Sequence, residues 1–161
     1  MTQFPTREVT LSVDLESSFQ GPIQVEVVGR DKWKLIKDVR YRSIIAGQIF
    51  EVPAGFVFDG ASVPRAPFTF WAAGGRAFPA SIIHDFLYRA PWWTDRPLAD
   101  KIFYEITRCS QPEYGIEPEP LLIAWAMYDA LVIFGEVAWK SHGKPGDPAP
   151  PVVERGSGES E

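Results

Sequence analysis

The hydrophobic period of this chain switches once, at Asp59. Before it, Val9, Leu11, Val13 and Leu15, then Ile23, Val25 and Val27, alternate with polar neighbours, and Trp33, Leu35, Tyr41, Ile44, Ile49 and Val52 continue the series. A period of two puts every second side chain on one face, which is the pattern of half-buried antiparallel strands. Turn residues at Gln20-Gly21-Pro22, Gly29-Arg30-Asp31, Ala46-Gly47-Gln48 and Pro53-Ala54-Gly55 leave connections that suit hairpins and are too short for crossover helices.

After Asp59 the spacing becomes helical. Ser62 before Val63-Pro64 reads as a helix N-cap for a short helix or turn that runs to Trp71, because its hydroxyl can accept from a first-turn amide. A second helix is predicted from Pro79 to Arg89 and stopped by Pro91. A third, capped by Thr94 or Asp95, runs through Cys109 with Leu98, Ile102, Phe103 and Ile106 on its apolar face. The last, Glu119 to Lys140, is expected to close the core with its long apolar face, and Phe103, Trp125, Phe134 and Trp139 are read as core residues. Strands first and helices second specify an α+β fold: an N-terminal antiparallel sheet of short strands followed by three to four packed helices. Residues 1–142 form a single domain in this reading. The Pro-, Gly- and Ser-rich stretch 143–161 reads as a flexible tail, because it cannot bury enough apolar surface to offset its ordering.

A chain of 161 residues can bury a core of its own without staples. A net charge of −5 with scattered Lys and Arg argues against nucleic acid as a partner, since phosphate neutralisation needs clustered cations. The single cysteine, Cys109, cannot close an intrachain disulfide, and the N-terminal residues carry no basic-then-apolar signal pattern. Asp129 and Glu136 interrupt the most apolar helix, so no membrane span is expected.

The chemistry-bearing residues gather between Phe56 and Asp100. Asp59, Ser62, Arg65, His84, Asp85 and Tyr88 sit within strongly aromatic and aliphatic segments, where a polar group is costly unless it finds a partner. A helix through His84 and Tyr88 puts the two one turn apart on one side. The short connection from Pro91 to Asp95 should turn the next helix back so that Asp100 meets them. Asp59 and Ser62 arrive from the strand end. His84 is the candidate general acid or base, with Asp100 or Asp85 orienting its ring. Ser62 is the candidate nucleophile, although it lacks a Gly-x-Ser-x-Gly elbow. A divalent metal, if one is held, would take His84, Asp59 and Asp100; no cofactor is otherwise expected. Trp92 and Trp93, with Tyr88 and Arg65, are the candidate binding residues; indoles exposed in the loop would favour a protein contact over a sugar, and they could equally seal the edge of the core. The competing reading is structural: Asp59 pairs with Arg65 or a backbone turn, Ser62 caps a helix, His84 bonds Asp100 or a carbonyl, Tyr88 packs with its hydroxyl satisfied, and the network fixes one packing of the core. That reading leads, because no recognised catalytic spacing is present.

The run Phe56-Val-Phe-Asp-Gly-Ala-Ser-Val-Pro-Arg65, then His84-Asp-Phe-Leu-Tyr88, then Arg96-Pro-Leu-Ala-Asp-Lys-Ile-Phe103 resembles the DUF1353 family, small proteins encoded largely by tailed phages and prophages. The resemblance runs from Val52 to Trp139, with Gly60 standing where a large apolar residue is expected. It implies a biological setting rather than a reaction. The expectation is an accessory or structural protein of a phage or prophage, a component of the virion tail or neck, whose partners are other phage structural proteins; it would reside in the virion or in the host cytoplasm during infection. The alternative is a small hydrolase, directed at the cell wall or metal-dependent, that uses a pocket of His84, Asp59 and Asp100.

Overall fold

Two small antiparallel sheets take up the strand-forming part of the chain. The structure, a computed structural model, describes residues 17–30, 32–58, 75–90 and 94–141. Strands β1 (Ser18–Phe19), β4 (Val39–Ser43) and β5 (Gln48–Val52) form one sheet in the order β1-β4-β5. Strands β2 (Val25–Gly29), β3 (Lys32–Leu35) and β6 (Val57–Phe58) form the other, in the order β2-β3-β6. The β4–β5 hairpin is in register from Val39 opposite Val52 to Ser43 opposite Gln48. Its turn closes through the Gly47 amide donating to the Ile44 carbonyl at 3.1 Å, with Gly47 at φ 64°, a conformation that glycine adopts without a Cβ penalty.

Leu35, Tyr41 and Val52 are buried as the alternation predicts, and Val39, Phe50 and Phe58 are buried with them. Ile49, read as part of the same apolar series, is only half-buried, because Phe50 takes the inward place opposite Tyr41. The β2 strand departs from this. It lies at a sheet edge, bulged between Val27 and Gly29, with Val27 75% exposed. Ile44, read as part of a strand, sits in the hairpin turn and is exposed. The strand expected at Val9 to Leu15, the helix from Ser62 to Trp71 and the tail lie outside the described residues.

Three helices follow: α1 (Phe78–Arg89), α2 (Arg96–Thr107) and α3 (Leu121–Ser141). Pro79 stands in the first turn of α1, where its missing N–H is not needed. Asp95 is the cap of α2, its carboxylate accepting from the Leu98 amide at 2.8 Å. A 3-10 turn (Pro112–Tyr114) leads towards α3.

Helix α1 is central. Every residue from Ala80 to Tyr88 is buried, because α1 packs against β5 and β6 on one side and α2 on another, with α3 beyond. Phe58, Phe78 and Trp33 meet at ring separations of 5.2–6.2 Å. Arg89 ties α1 to the sheet by donating to the Val57 carbonyl at 2.8 Å and lying over the Phe56 ring.

Helix α3 corrects the core expected from the sequence. Ala124, Met127 and Leu131 are buried and Trp139 packs against the core, but Phe134 is 60% exposed and Trp125 48%. Phe103, on α2, is fully buried as expected. The helix is apolar on more sides than the described elements cover. Among the described residues it is the one helix long and apolar enough to cross a membrane by length and composition.

Candidate functional site

The predicted meeting of α1 and α2 takes place. Asp100 Oδ1 lies 3.0 Å from His84 Nε2 and accepts from the Tyr88 hydroxyl at 2.6 Å. Its Oδ2 faces Arg96, one turn earlier on α2, with NH1 at 3.4 Å. The Arg96 guanidinium also donates to the backbone carbonyls of Leu131 and Val132 on α3, at 3.2 and 3.3 Å. One carboxylate thus joins three helices. His84, Asp100 and Tyr88 are all buried, and the imidazole is walled in by the rings of Tyr88 at 4.0 Å and Phe103 at 5.3 Å.

Burial pushes the His84 pKa below its ordinary value, and the Asp100 hydrogen bond and charge oppose that shift without cancelling it. The ring is therefore neutral near pH 7. Its proton belongs on Nε2, where the carboxylate accepts it, which leaves a lone pair on Nδ1; among the described residues Nδ1 has no hydrogen-bond partner. Burial, followed by the bond to Asp100, raises the Tyr88 phenol far above its usual range, so Tyr88 is a permanent donor.

A lowered His84 pKa has a definite sign in stability. The unfolded chain binds the proton from about pH 6.5 downward while the folded chain does not, so stability is full above 6.5 and falls as pH drops from there towards the folded value. Unfolding free energy measured by denaturant titration should fall with acidification across that window. The slope should shrink in His84→Gln, and an unchanged slope would contradict the assignment. Glu119, buried ahead of α3, has the opposite sign. Desolvation raises its carboxyl, against the pull of Arg76 and the Ala77 amide, so its stabilising share is lost as pH climbs above 4.5.

Gly135 completes the arrangement. A Cβ there would come within 2.5 Å of the Tyr88 hydroxyl and 3.3 Å of Arg96 NH1. The missing side chain lets α3 pass directly over the network. Gly135→Ala should therefore lose stability, by roughly 1–3 kcal/mol of overpacking, despite a helix-propensity gain of about 1 kcal/mol. Tyr88→Phe removes the colliding oxygen, so Gly135→Ala should cost less in that background. A double-mutant cycle by chemical denaturation reads the difference, and additive costs would refute the contact.

Asp59, Ser62, Arg65, Trp92 and Trp93 lie outside the described residues. Ser81 is satisfied locally, its hydroxyl donating to the Phe78 carbonyl at 2.7 Å. Tyr88, a candidate binding residue, is buried and committed to Asp100. Among the described residues no group of three His, Cys, Asp or Glu side chains gathers to hold a metal ion. Sequence reasoning gave no role to Arg96 or Gly135. The signals were there: Arg96 and Asp100 are four residues apart on one helix, and a glycine inside an apolar helix marks a close approach.

A second carboxylate carries a network that the sequence concealed. Glu105, on α2, accepts from the hydroxyls of Ser17, Tyr41 and Ser43, and from the amides of Ile44 and Ile45 at 2.9 and 3.0 Å. It binds α2 to the β4–β5 hairpin. Cys109 is buried beside it, its sulfur 3.7 Å from the Tyr41 hydroxyl. These residues form an anchor within the fold.

Searches among curated proteins and among solved structures found no match. The family described as a protein of unknown function, DUF1353, matches residues 33–130. That span is more than half of the chain and carries α1, α2 and the His84–Asp100–Tyr88 network, so the chain belongs to the DUF1353 family.

Proposed function

We propose that this protein is an accessory or structural component that acts through protein–protein contacts, encoded by a phage or prophage and carried in the tail or neck of the virion. The observation that carries the reading is the closure of the polar cluster. His84, Asp100 and Tyr88 are buried and bonded to one another, and with Arg96 the bonds they make hold α1, α2 and α3 in one arrangement. Large apolar side chains on α3, by contrast, are turned outward, as a contact surface requires. The phage setting rests on the resemblance in the residues from Phe56 to Phe103. Mass spectrometry of purified particles should detect the chain; its absence from them would sink the virion assignment.

A second reading, a small hydrolase directed at the cell wall, is favoured by one observation. The Nδ1 lone pair of a neutral His84, oriented through Nε2 by Asp100, is what a general base offers once substrate reaches it. Asp59 and Ser62 would be its companions, with a divalent metal shared by His84, Asp59 and Asp100 as the variant. A His84→Gln chain that folds yet loses wall hydrolysis would establish this reading. Equal activity in the variant would exclude it.

A further inference from the structure

Helix α3 is held firmly up to its middle and lightly beyond it. Its inward residues Ala124, Met127 and Leu131 are buried, and the Arg96 guanidinium fastens the carbonyls of Leu131 and Val132 to α2. Past that clamp the hold thins. Ile133, Phe134 and Val137 are exposed, and Glu136 and Lys140 face water. Among the described residues, what remains is Gly135 over the Tyr88 hydroxyl, with Ala138 and Trp139 half-buried against the core. The Trp139 indole stands perpendicular to the Tyr88 ring at 5.1 Å. Glycine adds a weakness of its own inside a helix. Few buried contacts, with the outer side in water, mark a segment that opens ahead of the whole. The exposed Glu136–Lys140 pair, one turn apart at 2.6 Å, keeps this turn helical while leaving its outer side in water.

We propose that the end of α3, from Gly135 to Lys140, is a lid over the polar cluster, which lifts beyond the Arg96 clamp while the rest of the fold stays closed. What it covers is specific. Tyr88 is 3% exposed with the lid in place. Lifting takes Trp139 off the Tyr88 ring and the α3 backbone off its hydroxyl. That brings to water a phenol bonded to Asp100, with the His84 ring 4.0 Å from its own. Arg96 meets the same carboxylate from its other oxygen. A phenol, a carboxylate and a guanidinium then face an arriving ligand together, and a few converging polar groups beside aromatic rings are what a binding site offers. This inference goes beyond both functional readings. Contacts between proteins need no lid, whereas a hydrolase needs a way in to a base that is fully buried, and the lid supplies one.

Acetylation of tyrosine hydroxyls by N-acetylimidazole, read at Tyr88 by peptide mass spectrometry, measures the opening in the full chain. Tyr88 should react at a rate that low urea barely changes, because lifting a lid exposes little new surface. Trp139→Ala should speed the reaction by at least about tenfold, since it removes a large ring from the contact that holds the lid down, and should keep the same shallow dependence on urea. Val137→Ala, on the exposed side of the same turn, should not speed it. A wild-type Tyr88 that reacts only as steeply with urea as the whole protein unfolds, or a Trp139→Ala rate equal to wild type, overturns the lid. Wall hydrolysis by wild type and His84→Gln is read separately. A chain that opens yet hydrolyses no wall keeps the lid and loses the hydrolase reading.

Discussion

Asp100→Ala should lower the unfolding free energy by about 3–5 kcal/mol, the loss typical of removing one partner from a buried charged network. Three donors lose their acceptor together: the His84 ring N–H, the Tyr88 hydroxyl and the Arg96 guanidinium. The first two are buried, where water does not readily replace a carboxylate oxygen. Asp100→Asn is the informative companion. Its carbonyl can still accept from His84 and Tyr88, but its amide then confronts Arg96, so the loss should be smaller yet clear. Urea unfolding of the three chains measures both. A loss under about 1 kcal/mol in Asp100→Ala would mean that the donors find other acceptors and that the network is not what joins the helices.

The second large effect belongs to Glu105→Ala, expected to cost about 2–3 kcal/mol. Its carboxylate takes five donors from Ser17, Tyr41, Ser43 and the backbone of the hairpin turn. The two amides lie in an exposed turn, so water can recover part of the loss. That is why the figure stays below that for Asp100. Glu105→Gln retains one acceptor and should lie between wild type and alanine. If alanine and glutamine variants unfold together with wild type, the carboxylate is an ornament of the turn and the hairpin is held by other contacts.

Local pattern carried the reading furthest where the partners are close in sequence. His84 and Tyr88 fall one turn apart, and the short link to α2 returns Asp100 to them, so this pairing was legible from spacing. The order of strands before helices was equally plain. Glu105 was not legible, because its donors lie 60 to 88 residues away and two of them are backbone amides of a hairpin turn, which have no sequence signature. Helix α3 misled for a different reason. Apolar residues around most of its circumference suggest a buried core helix, yet burial requires neighbours on every side, and the described chain supplies them for one stripe. Val27 erred in the same way: alternation identifies a strand but does not say whether its apolar face meets a helix or lies at an edge.

The two carboxylates of α2 stand five residues apart, which on a helical wheel is about 140° of rotation. Asp100 draws in α1 and α3 while Glu105 draws in the hairpin, so this helix is tethered from nearly opposite directions. Such an element has no free flank from which to peel away. Its central amides, from Ile102 to Ile106, should exchange with deuterium only when the whole molecule opens, and should mark the slowest-exchanging unit in the protein. The outer end of α3, tethered on one side, should exchange well before it.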